Sequence, residues 1–133
     1  MEKFLKQYDV LFLKAKEDLI TAKYLLDGFN YHNLELNLEI VFFHFQQCVE
    51  KLIKTYLDFN KIKFPHTHDL KDLINILEDN NINFIDNIDF IVLLTQYAVE
   101  GRYAIIHDDL DDADKYIETL DKLLSFVQRE IQK

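Results

Sequence analysis

The side chains best suited to phosphate chemistry are the arginines, and the sequence contains two of them, Arg102 and Arg129. A guanidinium group binds a phosphate through two parallel hydrogen bonds, whereas a lysine ammonium group acts as a point charge. Arg129 falls near the end of the last predicted helix, where the helix dipole stabilises a cation. Arg102 has no such structural explanation, so it is the candidate for a phosphate contact.

The histidines are candidates for proton transfer or metal binding. His66 and His68 flank Thr67, and Asp69 follows directly, which is a grouping that could bind a metal. No further ligands stand at a fixed spacing, so a turn that caps the next helix is the favoured interpretation and no metal is predicted. His44 is expected to be a hydrogen-bonded interior or interface residue, and His32 a surface loop residue.

A polar strip interrupts the most apolar stretch of the chain, and it consists of Gln46, Gln47, Glu50, Lys51 and Lys54. Glu50 and Lys54 stand four residues apart in the favourable order, which predicts an ion pair within one helix worth a few tenths of a kcal/mol. The strip has two interpretations. It could line a cleft and offer a second cation to a phosphate, or it could be an ion-pair lattice that fixes the helix register, which is the simpler view.

Helical periodicity accounts for most of the chain, and the strip lies on its central helix. Phe42, Phe45, Val49, Leu52 and Tyr56 recur at steps of three and four residues, which predicts a helix that is apolar over much of its circumference. The other elements are also predicted to be helices. The first helix is predicted to end near Asp27 with Gly28 as its cap, and a connection over 29–37 leads to the central helix over about 38–59. A loop over 60–67 precedes a third helix, which is capped by Thr67 or Asp69 and fades over 78–81. A fourth helix runs from Ile85 or Asp89 to Gly101, and the last helix begins at about Asp108.

Composition supports one all-α domain over residues 1–133. The 133 residues include two glycines and one proline, which favours long helices over many short strands. We predict an up-down bundle of four or five helices, and the apolar surplus of the central and fourth helices indicates a homodimer. The single Cys48, the lack of a leader and the lack of an apolar spanning run favour a cytoplasmic protein without a membrane segment. The net charge of −9 disfavours binding to DNA through its phosphates.

Several of these features occur together in a known order, and the whole set resembles the HEPN domain family. The set comprises Glu17-Asp18-Leu19 with Ala22, Phe45-Gln46-Gln47 with Glu50-Lys51 and Lys54, Pro65-His66-Thr67-His68-Asp69-Leu70, Arg102-Tyr103, and a last helix that contains Ala113. The resemblance covers nearly the whole chain. It implies a small helical bundle, usually homodimeric, that occurs alone or beside a minimal nucleotidyltransferase, and it implies no cofactor.

The resemblance also implies a site. In many family members an arginine and a histidine four to six residues apart form a metal-independent ribonuclease site in the dimer cleft, and Arg102 and His107 have this spacing. A histidine can exchange the proton of a ribose 2′-hydroxyl or of the leaving oxygen, and an arginine can stabilise the charge on the phosphate. Residues five apart on one helix face directions about 140° apart, so the two side chains meet only at a bend or across two copies.

Three interpretations follow from the sequence. The first is a toxin-like ribonuclease restrained by a cognate nucleotidyltransferase. It would use Arg102 and His107 for catalysis, and the candidates to line the cleft or bind a nucleotide are Gln47, Glu50, Lys51, Lys54, His68 and Tyr103. The second is a noncatalytic module that binds a nucleotide or docks on such a transferase. The third is a plain dimeric bundle in which Arg102 pairs with Glu100 or Asp108. Active members usually carry a polar residue where this chain has Tyr103, and paired toxins often carry a tyrosine where it has Asp109.

Overall fold

The computed structural model describes residues 6–98 and 110–133, and in these two ranges it contains helices and no strands. This confirms the predicted all-α helical bundle. The elements are α1 (Gln7–Tyr31), α2 (Leu38–Phe59), α3 (Leu70–Asp79), α4 (Ile88–Val92), a 3-10 helix (Leu93–Tyr97) and α5 (Leu110–Ile131).

The helix α2 lies at the centre of the fold, as its apolar periodicity predicts. Phe45, Val49, Leu52 and Ile53 are completely buried, and α2 packs against α1, α3, α5 and the 3-10 helix. The ring of Tyr8 at the start of α1 contacts a ring at the end of α2, so α1 and α2 are antiparallel.

Aromatic contacts fix the position of α5 beside α2. Tyr116 near the start of α5 packs edge-on against Phe42, and Phe126 farther along packs edge-on against Tyr56. The two helices therefore run in the same direction. Phe90 of α4 stacks on Tyr116 with ring centroids 3.9 Å apart, which fastens α4 onto the same cluster.

The helices α2 and α3 end in the same hydrogen-bonded motif without a glycine. The residue after the cap is left-handed in both cases, with φ of 61° at Lys61 and 56° at Asn81. The amide of Ile62 then donates to the carbonyl of Leu57 at 2.9 Å, and the equivalent bond follows Asn81 at 3.0 Å. Two orphan carbonyls at each helix end are satisfied in this way.

Two predicted boundaries are wrong. The first helix does not end at Gly28; it continues to Tyr31, and Asn33 takes the left-handed conformation with φ of 54°. Gly28 instead allows a close approach, because a Cβ there would lie 2.8 Å from Leu34 Cδ2. The fourth helix was expected to be continuous, but its α-helical part ends at Val92 and the chain tightens into the 3-10 helix.

Most apolar side chains of the central helix are buried against the other helices of the same chain, so they do not provide a surface for a dimer contact. Exposed apolar side chains include Ile20 and Tyr24 on α1, Ile40 near the start of α2 and Leu93 just after α4. Among the described helices, none combines the length and the apolar character needed to cross a lipid bilayer.

Candidate functional site

The polar strip of α2 is largely enclosed between α1 and the loop that precedes α3. Successive residues of a helix are rotated by about 100°, so the five residues of this strip share one side of α2. Gln46, Glu50 and Thr55 are buried, and Lys51 and Lys54 are partly buried. The strip therefore forms two compact polar clusters, one against the loop and one against α1.

The first cluster surrounds the carboxylate of Glu50. Its Oε1 accepts from Gln46 Nε2 at 3.0 Å and lies 2.8 Å from His68 Nδ1. Its Oε2 accepts from Lys54 Nζ at 3.0 Å, which confirms the predicted pair within the helix. The side chain of Glu50 is only 6% exposed, so its charge is stabilised by these three protein donors instead of water.

The donors around Glu50 decide its protonation. Burial raises the pKa of a carboxyl group, but the hydrogen bonds from Gln46, His68 and Lys54 favour the ionised form and outweigh burial. The pKa of Glu50 is therefore lowered from its ordinary value. At neutral pH Glu50 is a carboxylate, which can only accept hydrogen bonds.

His68 reaches this carboxylate from an irregular loop, and polar contacts position the loop on both sides. Gln46 Nε2 also donates to the carbonyl of His68 at 3.2 Å. The side chain of Asp69 caps α3 by accepting from the amide of Lys71 at 2.9 Å. Of the two caps that the sequence allowed, Asp69 is the residue that begins α3. The amide of Leu70 donates to Thr95 Oγ1 at 3.2 Å, which attaches the loop to the 3-10 helix.

The second cluster joins α2 to α1 through Asp18. Lys51 Nζ donates to Asp18 Oδ2, and His44 Nδ1 lies 3.0 Å from Asp18 Oδ1. Burial raises the pKa of Asp18, but these two hydrogen bonds more than offset it and the pKa is lowered from its ordinary value. The cluster links two helices through polar side chains that are each less than a quarter exposed.

The lysines of the strip and His68 differ in how accessible they are to a ligand. Both lysines of the strip are held by carboxylates, Lys54 by Glu50 and Lys51 by Asp18, so a phosphate would have to compete for them. The ring of His68, in contrast, is anchored at Nδ1 while 63% of its side chain remains exposed. A buried carboxylate that holds an exposed imidazole is an arrangement capable of proton transfer.

The structure brings together part of the predicted site. Glu50, Lys54 and His68 are in one cluster, and Gln47 joins it because its Nε2 donates to Gln46 Oε1 at 2.7 Å. Lys51 belongs to the second cluster. Arg102, Tyr103 and His107 lie outside the described residues, as do the expected acidic partners Glu100 and Asp108.

The other histidines have simpler positions. His44 has the predicted hydrogen bond, and His32 is exposed at the end of α1. His66 is exposed as well. Within residues 6–98 and 110–133, no three His, Cys, Asp or Glu side chains are grouped as metal ligands.

Three residues of the clusters, Gln46, Asp18 and His44, were not predicted as site residues. Gln46 connects Glu50 to the backbone of His68, and Asp18 connects α1 to α2. Asp18 directly precedes the buried Leu19, so its place at the edge of the apolar face of α1 was a usable signal. Gln46 had a similar signal, because an amide beside the completely buried Phe45 requires partners.

Comparisons with known proteins agree with this fold. The model of the HEPN domain matches residues 8–131. Among solved structures, the crystal structure of an archaeal HEPN homologue superimposes with a TM-score of 0.63 and 22% sequence identity, over 96% of this chain and 99% of that one. No significant match was found among curated proteins.

Proposed function

The chain belongs to the HEPN domain family, and on this premise we propose that it is a metal-independent endoribonuclease whose site contains Arg102 and His107. The observation that carries the proposal is their spacing in the sequence, with four residues between an arginine and a histidine. The arginine would stabilise the charge that develops on the phosphate, and the histidine would exchange a proton with the reacting oxygen.

The protonated and neutral forms of histidine are both accessible near neutral pH, so cleavage through the ribose 2′-hydroxyl needs no metal ion. In this reaction the 2′-oxygen attacks the adjacent phosphorus and the 5′-oxygen leaves, which gives a 2′,3′-cyclic phosphate and a 5′-hydroxyl. The ends of the product therefore report the mechanism.

A homodimer is part of the proposal. Residues five positions apart on a continuous helix point in directions about 140° apart, and two copies that face each other would remove this obstacle. Light scattering coupled to size-exclusion chromatography measures the mass in solution. A mass near twice 16.0 kDa is expected, and a mass of one chain would contradict a site shared between two copies.

The test is incubation of the purified protein with mixed cellular RNA, with and without EDTA. Cleavage that survives EDTA and leaves cyclic-phosphate ends is expected, and His107→Ala should abolish it. His32→Ala is the matched control, because His32 is an exposed histidine at the end of α1 and has no role in the proposal. Equal inactivity of the wild type and His107→Ala would refute the ribonuclease.

The same variants must retain the fold for this comparison to be informative. Neither Arg102 nor His107 belongs to the apolar stripes that form the core, so Arg102→Ala and His107→Ala should keep the helical circular dichroism of the wild type. A loss of helix in either variant would favour a structural role for that residue.

A second candidate function is a noncatalytic module that docks on a cognate nucleotidyltransferase or binds a nucleotide. It is favoured by the acidic start of α5, where Asp112 and Asp114 are exposed and would repel an RNA backbone. Copurification with a small nucleotidyltransferase, in the absence of RNA cleavage, would support this alternative over the ribonuclease.

A further inference from the structure

The helix α1 carries apolar side chains on two separate faces. The face that packs into the bundle has five buried residues, which are Phe12, Ala15, Leu19, Ala22 and Leu26. A second row recurs at steps of seven, four and seven residues and is between 48% and 76% exposed; it consists of Leu13, Ile20, Tyr24 and Tyr31. At about 100° per residue the second row lies about 140° around the helix from the first. The fold therefore uses one apolar face of α1 and leaves the other at the surface.

The exposed row borders a groove between α1 and α5, which we name the α1–α5 groove. Its volume is about 540 Å³, and apolar side chains from both helices line it, namely Ile20, Tyr24, Leu26, Tyr31 and Ile117. Because walls of both helices are apolar, a ligand in the groove would bury apolar groups on two sides. Exposed apolar surface that is continuous in this way is typical of an interaction site.

The charges of the α1–α5 groove are predominantly negative. Its charged residues are Lys23, Asp27 and Asp114. Lys23 Nζ already donates to Asp121 Oδ1 at 2.8 Å, so its charge is compensated. Asp27 and Asp114 are exposed, and within residues 6–98 and 110–133 neither has a lysine or arginine partner. The groove therefore presents two uncompensated carboxylates beside apolar walls.

The shape and the side chains of the groove fit a helix. From Ile20 to Tyr31 the groove follows about 16 Å of the axis of α1, which is three helical turns. A groove along helices binds the apolar face of an amphipathic helix. Exposed tyrosines supply much of the binding energy at such interfaces, and an arginine can stack on a tyrosine ring while it pairs with a carboxylate.

A second copy of this chain is a poor occupant of the groove. In a symmetric dimer the same patch of each copy meets itself. Such a contact would bring two uncompensated carboxylates from each copy together, Asp27 and Asp114, in a chain with a net charge of −9. Like charges that face each other oppose association. The proposed homodimer would therefore use another surface.

We propose that the α1–α5 groove is the docking site for an amphipathic helix of another protein, in which arginine or lysine residues flank an apolar row. The apolar row packs against Ile20, Tyr24 and Ile117, and the cations pair with Asp27 and Asp114. This inference goes beyond the ribonuclease and is independent of it, because every group that it uses lies in α1 or α5.

The binding test uses a synthetic peptide of three heptads with leucine at positions a and d and arginine at positions e and g. Its counterpart carries glutamate at e and g. Fluorescence anisotropy of the labelled peptides should show binding of the arginine peptide and none of the glutamate peptide. Ile20→Ser and Tyr24→Ala should each weaken binding about tenfold or more. Leu93→Ser is the matched control, because Leu93 is an exposed apolar residue outside the groove, and it should bind like the wild type.

The charge test separates the groove from the overall charge of the protein. The double variant Asp27→Asn with Asp114→Asn should weaken binding of the arginine peptide and reduce its dependence on salt. The matched control is Asp79→Asn with Asp86→Asn, which makes the same change in net charge at exposed residues outside the groove. An equal loss in both double variants would mean attraction to net charge alone, and it would overturn the proposed site.

The remaining outcomes are also decisive. Absence of binding, or equal binding of the two peptides, would refute the docking site. If light scattering shows a dimeric wild type and a monomeric Ile20→Ser whose circular dichroism is unchanged, a second copy occupies the groove and the proposal is wrong. If the wild type fails to cleave RNA but binds the arginine peptide through Ile20 and Tyr24, the ribonuclease is refuted and the docking site stands.

Discussion

Replacement of Glu50 by glutamine tests whether the buried carboxylate stabilises the fold through its charge. A glutamine oxygen can occupy the position of Oε1 and keep the bonds from Gln46 and His68. The glutamine NH₂ group then faces Lys54, whose bond to Oε2 is lost. A hydrogen bond to a charged group contributes about 1.5–3 kcal/mol, so Glu50→Gln should lower the free energy of unfolding by about that amount at pH 7.

The pH dependence gives the sign of the effect. The pKa of Glu50 is lowered in the folded protein from 4.5, so its ionised form stabilises the fold above pH 4.5. That stabilisation is lost as the pH falls through the lower folded-state pKa. The difference between wild type and Glu50→Gln should therefore be constant near neutral pH and shrink below pH 4.5.

Glu118→Gln is the matched control, because Glu118 forms the same type of pair with Lys122, four residues on, at 3.2 Å. The side chains of Glu118 and Lys122 are both at least 70% exposed, and such pairs contribute only about 0.3–0.5 kcal/mol to the free energy of unfolding. Urea unfolding of the three proteins from pH 7 to about pH 3 measures the difference. A loss in Glu50→Gln no larger than in Glu118→Gln, or one independent of pH, would refute an ionised and paired Glu50.

Three further predictions concern stability and are checked by urea unfolding. Leu52→Ala should lower the free energy of unfolding by about 2–5 kcal/mol because it leaves a cavity in the core. Leu93→Ala, at a residue that is 58% exposed, should change the free energy of unfolding little. Similar losses in the two variants would contradict the central position of α2. Lys61→Gly should stabilise the protein by about 0.5–1 kcal/mol because Lys61 has a φ of 61°, and Lys63→Gly should not. Asp18→Asn should lower the free energy of unfolding by about 1.5–3 kcal/mol at pH 7. Because the pKa of Asp18 is lowered from 3.8 in the folded protein, this difference from the wild type should shrink below pH 3.8. A difference that persists undiminished well below pH 3.8 would argue against the ion pairs of Asp18.

Local signals in the sequence predicted the helices well, because each depends on residues close together in the chain. The bounds of α2 and α3 agree with the prediction, and the cap of α3 is Asp69, one of the two residues that the sequence allowed. The error at Gly28 has a clear cause. A glycine near a helix end is typical of a C-terminal cap, but here the absent side chain makes room for Leu34, a contact that depends on how the chain returns toward α2.

The sequence by itself determined that the chain forms a helical bundle around α2 and that Glu50 pairs with Lys54, since periodicity and a spacing of four residues are properties of a single helix. Only the tertiary structure decided which groups complete the two clusters. His68 is 18 residues from Glu50, and Asp18 is 33 residues from Lys51. Such pairs form only when packing of the apolar faces brings separate segments together, and the burial that results makes their charges matter for stability.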